Sequence, residues 1–206
     1  MKFTKKLSII VCSLTTVLLH TAVITNTYKS AAQAEGQELI FNDKSAAQAE
    51  GQELIFNGGF EIDPLADPNN PNGVNPNVTG WLKSGASGTT ISNFPHSGNQ
   101  GLSLGAFTGI SYISQTIPTV VGRRYQLTYY LASIEEEPDI NNKFQVFIDG
   151  KKVSVKNDTP FQPYKKYTLD FRAKGRYTEI KFGSFARSAF LYLDDVSVKA
   201  IGRNRW

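Results

Sequence analysis

Two adjacent carboxylates, Asp194 and Asp195, interrupt the apolar closing stretch LYLDDVSV, and a third, Glu61, ends the opening stretch ELIFNGGFE. Paired acids can hydrolyse a glycoside when they flank one glycosidic bond. Neighbouring residues of a strand point to opposite faces, which places Asp194 and Asp195 poorly for that work. Calcium is a better use, because this hard cation gathers roughly six to eight oxygens from carboxylates and carbonyls that can be distant in sequence. Glu61 and one of Asp194 or Asp195 meet if the first and last strands are neighbours. The same acids can instead sit in a solvated rim or accept backbone hydrogen bonds, and spacing alone does not choose.

Other chemistries lack their parts. The chain has two histidines and one cysteine, and His20 and Cys12 both fall in the leader described below, leaving His96 alone in a turn. There is no G-x-S-x-G, and no thiol for His96 to activate. Zinc needs several Cys or His ligands and finds one. Aromatic side chains are the second signal. Sugar rings stack their C–H faces on them while the hydroxyls seek amides, carboxylates and Arg. Trp81, Tyr112, Tyr130, Phe94 and Tyr164 are available beside Gln115, Gln126, Gln145, Asn141 and Arg172. Most aromatics in a β fold fill the core. Tyr130, Gln126 and Thr128 share the polar parity of their strand, and Gln145 and Phe147 that of theirs. A polar sheet face is therefore the place to look, with Tyr130, Arg172, Gln126, Gln145 and Tyr112 as candidate glycan contacts.

The elements that must position these residues are strands. In RRYQLTYYLAS, Tyr125, Leu127, Tyr129 and Leu131 alternate with polar residues at period two. KFQVFIDGKKV reads as a hairpin turning at Asp149-Gly150, with Phe144, Val146 and Ile148 toward the core. YKKYTLDFRA, RYTEIKFGS and AFLYLDDVSVKAI continue the pattern, the last with Val196 and Val198 inward. IDPLADPNNPNGVNPNVTG, residues 62–80, is a loop that no helix tolerates, and EEEPDINN is another. No window has helical period and length. Short strands with a turn about every ten residues predict an antiparallel β-sandwich.

The N-terminus differs in composition. Lys2, Lys5 and Lys6 precede an apolar run from Leu7 to about Val23, and Ala32-Gln33-Ala34 offers a small-x-small cleavage site. This order predicts an export signal over residues 1–34, and cleavage leaves no stable membrane insertion. KSAAQAEGQELIFN, Lys29–Asn42, recurs letter for letter as Lys44–Asn57. So perfect a repeat, with no second domain attached, suggests a tandem duplication. Only the second copy runs into GGFE, so it should be the native strand and residues 35–52 a duplicated linker. A sandwich over residues 53–201 and a tail at 202–206 complete the division. From Glu50 onward 17 Lys and Arg face 15 Asp and Glu, a balance of +2 without a polybasic patch for nucleic acid. Without cysteine, the exported part depends on apolar packing for its stability.

In order and spacing, LIFNGGFE, the GW of Gly80-Trp81, HSGNQGLSL, ISQTI, YQLTYYLA, VFIDGKKV and LYLDDVSV resemble carbohydrate-binding modules of the family 4 and 9 type. They look equally like the related galactose-binding-like domains. The resemblance implies a jelly-roll sandwich without catalytic activity and a buried Trp81. It also implies a structural calcium held by Glu61 and Asp194 or Asp195, with the HSGNQG turn contributing at Ser97 and Asn99. The expected protein is a secreted module that binds a polysaccharide or cell-surface glycan. The alternative is an extracellular-matrix or cell-surface component that uses the same fold for protein contacts.

Overall fold

A computed structural model describes residues 50–65, 75–134 and 141–202. The export signal, the first copy of the repeat, most of the acidic EEEPDINN loop and the last residues of the tail lie outside the described residues, as does the middle of the 62–80 loop.

Eight strands are present: β1 (Leu82–Gly85), β2 (Thr89–Ser92), β3 (Gly101–Pro118), β4 (Arg124–Ser133), β5 (Lys143–Ile148), β6 (Lys151–Asn157), β7 (Gln162–Arg172) and β8 (Tyr177–Ala200). The described residues contain no helix, and every pairing is antiparallel. The two longest strands, β3 and β8, pair along most of their length, but their register shifts between Leu104 and Ala106 and again between Ala106 and Ser111. Such bulges bend a strand. Past the bend, Ser111–Ser114 pair with β1 and Ile180–Phe185 with β5, and β5 with β6. On the other side of it, Gly101–Leu104 pair with β2 and Tyr192–Ala200 with β4, and β4 with β7. Two layers result, in order β1-β3-β8-β5-β6 and β2-β3-β8-β4-β7, a jelly-roll sandwich whose long strands belong to both.

The period-two pattern decides which side chains lie between the layers. Tyr125, Leu127, Tyr129 and Leu131 of β4 and Phe144 and Val146 of β5 are fully buried, as are Ile180 and Phe182 of β8. The Tyr129 ring of the facing layer lies 5.4 Å from that of Phe182, while Phe144 of the neighbouring strand lies at 5.8 Å and Trp81 at 6.3 Å. Trp81 is buried, as the resemblance implies, and its indole N–H donates to the Asn57 carbonyl at 3.0 Å. At the β5–β6 turn Asp149 and Gly150 both have positive φ (49° and 70°), the backbone of the tight hairpin that their sequence announces.

The second copy of the repeat lies against β8. Glu53 bridges Lys199, Leu54 N donates to Val198 O at 3.0 Å, and Ile55 enters the core. Residues 53–55 and the last strand are thus neighbours.

Candidate functional site

Those neighbours bring the three predicted acids to one corner, around the turn at residues 95–100. Glu61 Oε1 accepts the N–H groups of Asn99 and Gln100 at 2.8 and 2.9 Å. Asp194 Oδ2 accepts those of His96 and Ser97 at 2.8 and 3.1 Å. Asp195 takes the Ser97 hydroxyl on Oδ1 at 2.8 Å and faces His96 Nδ1 through Oδ2 at 2.6 Å. The expectation that Asp194 and Asp195 point to opposite faces fails here for a local reason. Asp195 has φ 47°, at a shift in the β4–β8 register between Thr128 and Tyr130, and this bulge turns both carboxylates to the same turn.

Asp194 is fully buried, and burial pushes its pKa up to about 6 against the opposing pull of the Ser97, Asp195 and His96 N–H bonds. A carboxylate shielded in this way cannot flank a sugar bond. Nor is Ser97 an activated nucleophile: its hydroxyl donates to Asp195 rather than to the imidazole, and His96 stacks on Tyr130 at 3.7 Å. For calcium, the donors are suitably hard oxygens drawn from both chain ends and one turn. They are, however, engaged by N–H and O–H donors, and among the described residues no three His, Cys, Asp or Glu side chains form a metal cluster.

The five candidate glycan contacts do not share a face. Tyr130, Gln126 and Arg172 lie on the outside of the β2-β3-β8-β4-β7 layer. There His96 covers the Tyr130 ring, the Gln126 amide donates to Asp170 Oδ1 at 3.0 Å, and Arg172 donates to the Gly122 carbonyl at 2.6 Å. Tyr112 and Gln145 lie on the outside of the other layer, joined by one register row in which Gly183 of β8 stands between them. Strand parity separates inward from outward residues but does not say which of two layers a strand joins.

On that second face Gly183 removes the side chain over which Tyr112 lies. A Cβ built on Gly183 would stand 2.8 Å from Tyr112 Cε1, so the ring rests against the sheet with no room for any other residue beneath it. Phe147, two residues beyond Gln145, meets Tyr112 edge-on at 6.0 Å. Gln145 is only 5% exposed, and its Oε1 is buried without a hydrogen-bond partner. An unsatisfied buried acceptor costs roughly 1–3 kcal/mol, which an incoming hydroxyl donor would recover. Sequence reasoning passed over Gly183, although a glycine inside the strand pattern KFGS is the usual sign of a close approach.

A cavity of about 430 Å³ near Asp63, Asn77, Thr79 and Lys83 offers less. Asp63 already accepts both donors of Thr79, and the Lys83 ammonium donates to the Pro76 and Thr89 carbonyls.

The architecture is that of carbohydrate-binding modules. A family 61 module, TmCBM61, solved in complex with β-1,4-galactotriose, superposes with a TM-score of 0.54 at 11% identity, over 73% of this chain and 100% of that one. The C-terminal family 22 module of Clostridium thermocellum Xyn10B, in a structure concerned with cleft residues in ligand binding, gives 0.51 at 13% identity over 76% and 97%. The enzymatically active domain of tailspike protein 4 from bacteriophage CBA120 gives 0.51 at 16% identity over 72% of this chain, which spans only 21% of that one. At these identities the likeness defines the fold. No protein-family model matches the sequence, and no curated protein matches it.

Proposed function

We propose that the chain is a secreted, non-catalytic module that holds a glycan against the outer face of the β1-β3-β8-β5-β6 layer. Tyr112 is the stacking platform and Gln145 the acceptor for a sugar hydroxyl. The observation that carries this reading is the buried, unpartnered Gln145 Oε1 on the face where Tyr112 lies across Gly183 and meets Phe147 edge-on. Solved modules of the same fold, one in complex with β-1,4-galactotriose and one with a ligand-binding cleft, support it. So do the N–H and O–H bonds that engage Glu61 Oε1, Asp194 and Asp195 at the acidic corner, where no acid, base or nucleophile is assembled among the described residues. Among the described residues no helix is long and apolar enough to cross a membrane.

Affinity electrophoresis in gels cast with plant and microbial polysaccharides tests the proposal. Tyr112→Ala is expected to cost about 2 kcal/mol, the usual effect of truncating an aromatic anchor, or roughly thirtyfold in Kd. Tyr130→Ala, on the opposite face beneath His96, should leave retardation unchanged. The competing reading, a surface component making protein contacts, draws on exposed Leu82 and Val155 at the rim of the same face. It gains if no glycan retards the protein.

Calcium is a separable part of the proposal, with Glu61, Asp194 and Asp195 and oxygens of Ser97 and Asn99 as ligands. A cation there would relieve the repulsion between buried Asp194 and half-buried Asp195. A ligand bound only by the folded state must stabilise it: at about 100 times its Kd the gain is ~2.7 kcal/mol. Calcium should therefore raise Tm by several degrees over protein in chelator. An unchanged Tm removes the metal and leaves the glycan site standing.

A further inference from the structure

We infer that the glycan taken by this face carries acid groups, either uronate carboxylates or sulfate esters. The inference rests on the glycan site proposed above and concerns what surrounds it. Three adjacent register rows make up the platform. The central row runs Val155, Gln145, Gly183, Tyr112, Ser84. On one side lies Lys152, Phe147, Lys181, Ser114, Leu82, and on the other Asn157, Lys143, Phe185. Lysines thus occur in both flanking rows, and none of the three rows holds a carboxylate. Glu179, one row further out, is bound to Lys181 at 3.0 Å. Lys143 and Lys152 have no ion-pair partner among the described residues, and the Lys152 ammonium lies 5.6 Å from the centroid of the Phe147 ring.

The opposite outer face is mixed in sign, with Glu53, Asp170, Asp194 and Asp195 among Arg124, Lys166, Arg172 and Lys199. The one-sided charge therefore belongs to this face and not to the chain as a whole, whose balance after the leader is close to neutral. A neutral sugar offers hydroxyls, which are met well by amides and carboxylates. A face supplying one amide acceptor and two unpaired ammonium groups is matched better by a ring that presents a hydroxyl to Gln145 and an anionic substituent to Lys143 or Lys152. Exposed charges of this kind weaken as salt screens them, whereas stacking on Tyr112 does not.

The test compares polygalacturonate, dextran sulfate and neutral galactan as ligands for the secreted chain, with a single-stranded DNA oligonucleotide as a polyanion without sugar specificity. At least one of the two acid polymers should bind, at least tenfold more tightly than galactan, and which of them does so separates uronate from sulfate. Raising NaCl from about 50 to about 500 mM should weaken that binding at least tenfold. Lys143→Gln combined with Lys152→Gln should reduce it tenfold while leaving the circular dichroism spectrum and Tm unchanged, and Tyr112→Ala should reduce it as well. Galactan bound as tightly as the acid polymers overturns the acid-glycan inference but keeps the glycan site. Acid polymer or DNA held equally by wild type and Tyr112→Ala is mere charge attraction and overturns it too. If no polysaccharide binds, the glycan reading falls and this inference falls with it.

Discussion

Gly58→Ala is expected to undo the docking of residues 53–58 against β8. A Cβ at this position would lie 1.9 Å from the Val196 carbonyl oxygen and 3.1 Å from Ile55 Cγ2, and the nearest obstacle is backbone that cannot rotate away. Val196 N also donates to Gly58 O at 2.9 Å, so moving the strand aside breaks a hydrogen bond that ties it to β8. Overpacking of this severity costs about 3 kcal/mol, a fall in Tm of roughly 10 °C for a domain of this size. Gly59→Ala is the matched control: its Cβ would meet nothing closer than 3.8 Å, and its melting curve should overlay that of the wild type.

Phe182→Ala should be comparably damaging for the opposite reason. Its ring is 1% exposed and touches those of Trp81, Tyr129 and Phe144, so truncation opens a void at the meeting point of both layers. Loss of a buried phenylalanine costs about 3–5 kcal/mol, the transfer free energy plus the cavity. Phe161, 56% exposed, supplies the contrast, since Phe161→Ala should stay within about 0.5 kcal/mol of wild type. Urea unfolding at constant m-value reads both differences.

The strands and their inward faces were legible because burial imposes period two on one chain at a time. Tyr125 to Leu131, Phe144 to Ile148, and Val196 with Val198 all declare themselves this way, and Asp149-Gly150 declares its turn. The layer each strand joins depends instead on pairing between distant segments. RYTEIKFGS and AFLYLDDVSVKAI read as separate strands yet form one, β8, bent where its pairing with β3 is bulged. That bend sends Tyr112 and Tyr130 to opposite outer faces, so a platform assembled from parity alone mixes residues of both. The acidic corner was half legible. Glu61, Asp194 and Asp195 converge as the ends of the chain suggest, while the left-handed bulge at Asp195 that aims both aspartates at one turn has no marker in the letters DD.

The central claim is that a glycan lies on the face holding Tyr112, Gln145 and Phe147. An amide-resolved NMR titration of the protein with the best-retained polysaccharide fragment tests it most directly. The account predicts that the largest shifts fall on Tyr112, Gln145, Phe147 and Gly183 while Gln126, Tyr130 and Arg172 stay still. Shifts concentrated on those last three, or on the 95–100 turn, would contradict it.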